Sequence, residues 1–198
     1  MNINDIEKRA FDFALDIETR DDKSPKIVGH AAIFNEYADI LWWKERMMPG
    51  AFKSSIKSDD IRALFNHDPN YVLGRNKAGT LKLREDDKGL FIDVTPPDTQ
   101  FANDLIKLIE RGDISQMSFA FQVIEDKWEY GEDKEPDKRD VMKVKLYDVS
   151  PVTYPAFEGT DVAIRSHDIW LKTQKVDAIP YKVKLAKRRL DLKQKGGS

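Results

Sequence analysis

Two long runs of alternating apolar and polar residues constrain this chain most: SQMSFAFQVIEDKWEY at 115–130 and VMKVKLYDVS at 141–150. Side chains alternate across a strand with a period of two, so each run lays an apolar stripe on one face of a sheet. The segment between them, GEDKEPDKRD, is polar, charged, Gly or Pro throughout and reads as a mobile hairpin loop. Two paired strands do not bury enough to stand alone, so further strands are required. Residues 9–19 and 25–35 read as two of them, divided by the polar turn TRDDKS, and 40–48 as an extended segment. Pro49-Gly50 breaks the chain, and AFKSSIK starts a short helix. IRALFNHD at 61–68 alternates like a half-buried strand, which Asp68-Pro69-Asn70 is expected to stop. TLKLRED and GLFIDVT form a hairpin. One segment has helical period: over 99–111, Phe101, Leu105, Leu108 and Ile109 share a stripe, with Asp98 or Thr99 as N-cap and Gly112 as the stop. After Ser150 an irregular segment leads to a last short strand. Many short strands and few helices predict a mostly β barrel.

The chemistry available is narrow. The 198 residues include no cysteine, which excludes disulfides, thiolate metal sites and a cysteine nucleophile. There are three histidines, His30, His67 and His167. No apolar run approaches the roughly 20 residues that span a bilayer, and the N-terminus lacks the layout of a signal peptide, so a cytoplasmic protein is expected. Residues 171–198 hold nine Lys/Arg and two Asp/Glu; with an overall net charge of −2, this basic tail of +7 leaves −9 on residues 1–170. An acidic body does not suit specific nucleic-acid binding. The tail is either a solvated, partly helical extension or a contact for an acidic partner or nucleic acid. KVKLAKRRLDLKQK sets Val183, Ala186 and Leu190 on one side of a basic amphipathic helix.

Three residues stand out. Ser118 shares a strand face with Ala120, opposite Met117, Phe119 and Phe121; a small neighbour leaves room for a substrate carbonyl, which a nucleophilic serine needs along with a base. It is equally a plain strand serine on this pattern. His67 ends the apolar face of Ile61, Ala63 and Phe65, as a general base at a sheet rim or as a histidine satisfied by a backbone carbonyl. Asp148 ends the face of Met142, Val144 and Leu146, where a carboxylate needs a partner: a histidine N–H, or a Lys or Arg. His67 and Asp68 fall short of the three or more ligands a metal site needs. No phosphate loop, dinucleotide fingerprint or GxSxG elbow occurs.

Seven blocks in order then resemble one family. IVGHAAIFNE, MMPGAFKSSI, LFNHDPNYVLGRNKAGTLKL, GLFIDVTPP, ISQMSFAFQV, LYDVSPVTYPAF and TDVAIR, between about residues 8 and 165, resemble the phage prohead (procapsid) maturation serine proteases, relatives of the herpesvirus assemblins. The resemblance implies a mainly β fold with flanking helices, an assemblin-like closed β-barrel of about seven strands. It implies a serine endopeptidase without cofactor or metal, with His67 of the NHD block as base, Ser118 of the MSF block as nucleophile and Asp148 before Val-Ser as third member. Relatives carry Glu there, and the herpesvirus enzymes a second histidine, which makes His167 the minor alternative. Gln116 and Ala120 stand where the family pattern has glycine.

The resemblance further implies substrates and place: scaffolding protein, or the scaffold-like region of the major capsid protein, cut inside the assembling procapsid in the host cytoplasm. Self-cleavage, self-association and contact with the portal go with it. It divides the chain into a protease domain at 1–168 and a basic tail at 169–198, self-cleaved or recruiting. The contrasting expectation is a catalytically weak or inactive capsid-assembly binding module on the same barrel, which the departures at Gln116 and Ala120 favour.

Overall fold

In the computed structural model, which describes residues 6–11, 15–19, 24–131, 135–154, 164 and 166–170, the alternating runs fold as eleven strands among the described residues. They are β1 (Glu7–Phe11), β2 (Asp16–Thr19), β3 (Pro25–Ile33), β4 (Ala38–Ile40), β5 (Trp43–Met47), β6 (Arg62–Phe65), β7 (Asp68–Arg75), β8 (Leu81–Glu85), β9 (Gly89–Val94), β10 (Gln116–Glu129) and β11 (Asp137–Val152). Two helices join them, α1 (Lys53–Ser58) and α2 (Gln100–Glu110). A seven-stranded sheet runs β1-β10-β11-β5-β4 with β6 and β7 branching from β11; a four-stranded sheet runs β2-β3-β9-β8.

The mainly β class with few helices holds, but the closed barrel of about seven strands does not. Among the described residues no ladder joins the two sheets, and only an isolated bridge, Phe34 to Met47, links the end of β3 to β5. The segment read as one strand over 9–19 is divided between them, β1 pairing β10 and β2 pairing β3. The core lies between the sheets. Ile27, Leu90, Ile92 and Val94 of the smaller one meet Met117, Phe119, Val144 and Leu146 of the larger, with Phe52 before α1 and Leu105 and Ile109 of α2 filling the same cluster. α2 ends as its sequence requires, at Gly112 with φ 80°.

The edge of β11 explains how the site is assembled. Asp137–Val141 pair in parallel with β5. The chain then leaves the strand but stays beside it: Met48 N–H donates to the Val141 carbonyl, and Val144 N–H to the Ala51 carbonyl, both at 3.0 Å. Leu146 N–H donates to Ser55 Oγ of α1 at 2.7 Å. At Asp148 and Val149 a strand resumes, now β6. The chain from β5 through α1 to β6 thus replaces one partner strand, and a helix serine stands in for a backbone carbonyl. Every buried N–H needs an acceptor, and Ser55, 1 % exposed, supplies this one.

Buried charge ties β1 and β5 to the ribbon of β10 and β11. Arg9 Nε donates to Glu45 Oε1 at 2.7 Å, Arg9 Nη2 to Glu7 Oε2 at 2.6 Å, and Arg139 Nη1 to Glu45 Oε2 at 2.9 Å. Arg139 Nε donates to Asp126 Oδ2 at 2.7 Å. Burial works against charge at Glu45, but Arg9 and Arg139 outweigh it and hold the carboxyl below its ordinary range. Burial likewise opposes the Arg9 guanidinium, and Glu45 and Glu7 overcome it and raise its value.

The chain divides into a compact unit over Met1–Glu158 and a second over Gly159–Ser198. In the second, residues 164 and 166–170 are helical; the last short strand, expected before His167, lies mostly outside the described residues. The basic tail at 171–198 lies outside the described residues.

Candidate active site

Three residues far apart in sequence meet at the end of the β10–β11 ribbon. His67 Nε2 lies 2.7 Å from Ser118 Oγ, and His67 Nδ1 lies 2.6 Å from Asp148 Oδ1. A carboxylate only accepts, so Nδ1 carries the hydrogen and Nε2 is left to accept the Ser118 hydroxyl. Ser150 Oγ also donates to Asp148 Oδ1, at 2.7 Å. The constellation is desolvated: Ser118 and Ser150 are 0 % exposed, and the His67 side chain 6 %. Charge that develops there is poorly screened, so fixed partners act more strongly than in water.

Each side chain is aimed by a local feature of the chain. Phe65 pairs with Asp68, so Asn66 and His67 form a two-residue hairpin turn between β6 and β7. Their φ angles are 54° and 57°. Positive φ at both central residues is what the tight hairpin turn requires, and asparagine tolerates it best after glycine. The turn is stapled to the end of β11. Asn66 N–H donates to the Pro151 carbonyl at 3.0 Å, Asn66 Oδ1 accepts from Thr153 N–H at 2.8 Å, and Asn66 Nδ2 donates to Thr153 Oγ1 at 3.1 Å. Asp68-Pro69-Asn70, expected to stop a strand, instead opens β7.

Asp148 is aimed by a bulge. Across the ribbon Leu146 pairs with Phe121, but Asp148 pairs with Ala120, so Tyr147 is the extra residue. A bulge reverses the alternation beyond it. Leu146 and Val149 therefore both reach the core, and Asp148 turns to the other face with Ser150, opposite Ala120 and Ser118. The expectation that Asp148 ends the apolar face of Met142, Val144 and Leu146 is thus corrected. Met142 leaves that face as well, at 39 % exposed, through a second irregularity at Val123–Asp126.

The small-residue face around Ser118 is also not open as expected: Ala120 is 1 % exposed and Ser118 fully buried. Gln116 and Ala120 lie in the strand with no positive φ, which Asn35, Leu41, Asn66 and His67 alone show among described residues other than glycine. No glycine is needed at either position for this backbone. His30 is engaged elsewhere, Nε2 lying 3.0 Å from both oxygens of Asp86. Burial pushes the Asp86 carboxyl up, but the bond from His30 and the N–H groups of Gly89 and Lys88 bring it below its ordinary value. His167 belongs to the second compact unit, its ring 5.7 Å from that of Trp170. Asn66, Ser150 and Ser55 were not singled out by sequence. Asn66 had a usable signal, an asparagine in a polar break between two strands. Among the described residues no three His, Asp or Glu side chains are arranged to hold a metal ion.

Residues 13–175 match the family described as caudovirus prohead serine protease. The chain belongs to that family. A structure described as the bacteriophage T4 capsid assembly protease, gp21, superposes with a TM-score of 0.51 at 10 % identity, covering 74 % of this chain and 96 % of that one. At that identity the likeness concerns fold. No curated protein sequence matches the chain. Membership of the prohead family makes the chain one of a serine peptidase family, and among the described residues no helix is long and apolar enough to cross a membrane.

Proposed function

We propose that Ser118, His67 and Asp148 are the nucleophile, base and orienting acid of a serine endopeptidase that matures a phage capsid. The observation that carries this reading is the unbroken chain of short contacts from Ser118 Oγ through both nitrogens of His67 to Asp148 Oδ1. In the reaction, Ser118 Oγ attacks a peptide carbonyl carbon while His67 Nε2 takes the hydroxyl proton. Asp148 holds the ring in the tautomer that leaves Nε2 free to accept, and stabilises the imidazolium. His67 then hands its proton to the departing amine, leaving an acyl ester on Ser118. Water, deprotonated by His67, hydrolyses the ester and restores the hydroxyl. Because Ser118 is buried, peptide binding must first displace what covers it.

The substrates in this reading are scaffolding protein or the scaffold-like region of the major capsid protein, cut inside the assembling procapsid in the host cytoplasm. The portal and further copies of the enzyme are its other partners, and the enzyme cuts itself. Residues 1–168 form the protease domain, and the basic segment at 169–198 recruits it or is removed. Full burial of Ser118 favours a second reading, a capsid-assembly module that binds without cleaving. One experiment separates the two. A fluorophosphonate probe should label the full chain at Ser118, and Ser118→Ala and His67→Ala should abolish labelling and processing of co-expressed scaffold without unfolding the protein. Loss of a triad member typically costs on the order of 10,000-fold or more. Absence of labelling in the wild-type chain favours the binding module, and normal processing by Ser118→Ala overturns the assignment.

A further inference from the structure

We infer that Ser150 is a positioning residue for the reaction, locking the Asp148 carboxylate so that His67 keeps its working orientation; this rests on the triad reading above. The two serines lie directly opposite each other, Ser118 on β10 and Ser150 on β11, both fully buried on the face the bulge creates. Their contacts divide the work between them. Ser118 Oγ reaches His67 Nε2, whereas Ser150 Oγ donates to Asp148 Oδ1 at 2.7 Å. Ser150 bonds the acid and not the base, so it is not the group His67 activates.

Its consequence follows from the torsion it restrains. The terminal torsion of an aspartate is soft, with a broad rather than staggered preference. A single bond to His67 lets the carboxylate swing, and the ring with it. Two donors, His67 Nδ1 at 2.6 Å from the β6–β7 turn and Ser150 Oγ at 2.7 Å from β11, converge on the same oxygen. Together they hold the carboxylate plane, and the plane holds the ring. Because the site is buried, water does not readily replace the Ser150 hydroxyl.

The test compares the full-length chain with Ser150→Ala and Ser150→Cys, the second keeping the volume while offering a weak donor. Fluorophosphonate labelling of Ser118 is resolved into probe affinity and the rate of the covalent step, and NMR follows the hydrogen-bonded Nδ1 proton of His67. The expected result is a covalent step slower by about ten- to a hundredfold in both variants, the range one hydrogen bond to a charged group supports. Probe affinity should be unchanged, unfolding should remain cooperative, and the Nδ1 resonance should be displaced. Wild-type labelling rates in a folded variant overturn the inference. So does a slow variant whose Nδ1 resonance has not moved. Ser118→Ala keeps the two readings apart: labelling that survives it removes the triad, while a dead Ser118→Ala beside a wild-type Ser150→Ala removes Ser150 alone.

Discussion

Ser55→Ala tests whether the edge of β11 is assembled from pieces. The serine is 1 % exposed, accepts Leu146 N–H at 2.7 Å and donates to Asp59 Oδ2. Alanine removes both bonds and leaves a buried backbone N–H with no acceptor, in a gap too small to admit water freely. An orphaned buried donor costs about 1–3 kcal/mol, and the lost bond to the Asp59 carboxylate adds to it. A total of about 3 kcal/mol is expected; at 2–4 °C per kcal/mol for a chain of roughly this size, Tm should fall by about 6–12 °C. Ser54→Ala is the control, because Ser54 is exposed on the same helix and should change stability by less than about 0.5 kcal/mol. Urea denaturation followed by circular dichroism measures both. The edge carries the β6–β7 turn, so fluorophosphonate labelling well below Tm should also slow in Ser55→Ala. A loss of stability no greater than that of Ser54→Ala refutes the idea that Ser55 completes the ladder.

Asn66→Ala removes two side-chain bonds to Thr153 and the residue best suited to φ 54°, so labelling of Ser118 should slow and stability fall by about 1–3 kcal/mol. Asn66→Gly, which relieves the backbone but still lacks the staple, should recover stability more than reactivity; equal recovery argues against the staple. Acid should also unfold the protein through its paired carboxylates. Glu45 is held low by Arg9 and Arg139 against burial, and Asp140 by the Arg46 bond with a further bond from Tyr37. Each therefore contributes stability that is present above the unfolded-state value of about 4 and is lost as pH falls through its lower folded-state value. Urea midpoints should drop steeply below about pH 4. Glu45→Gln should cost about 3–5 kcal/mol at neutral pH and flatten that drop; an unchanged slope would exclude Glu45 as its source.

What could be read from the sequence was local. The β8–β9 hairpin and α2 carry their patterns, caps and turns within a dozen residues, and both form where expected. β7 was missed because Pro69 looked like a stop. Proline is tolerated there because, among the described residues, β7 is an edge strand that pairs with β6 alone. The barrel failed for the opposite reason. Which strand lies beside β11 depends on α1 following its edge and on one hydroxyl filling a gap in the ladder, and neither leaves a periodic trace. The Glu7–Arg9–Glu45–Arg139 cluster is equally silent, since its members look like surface charges until the strands are paired.

Asp148 is the instructive residue, because its selection and its geometry parted company. Alternation placed it on the core face with Leu146, as a carboxylate in need of a partner. The partner is a histidine N–H, one of the two kinds the pattern left open, but the face is the opposite one. Had the ribbon been regular, Asp148 would share the side of Phe119 and Phe121, away from Ser118 on the next strand. One extra residue, Tyr147, reverses the parity and brings Asp148, Ser150 and Ser118 to a single surface. The hairpin turn does the same for His67, since two residues of positive φ fold the chain back over that surface. The site therefore depends on two breaks in β regularity as much as on its three side chains. Deleting Tyr147 tests the parity argument directly: Asp148 then follows Leu146 without a bulge and still lies opposite Ala120 on the face of Ser118, so labelling of Ser118 should survive, and its loss in a folded variant refutes the idea that the extra residue serves to set parity.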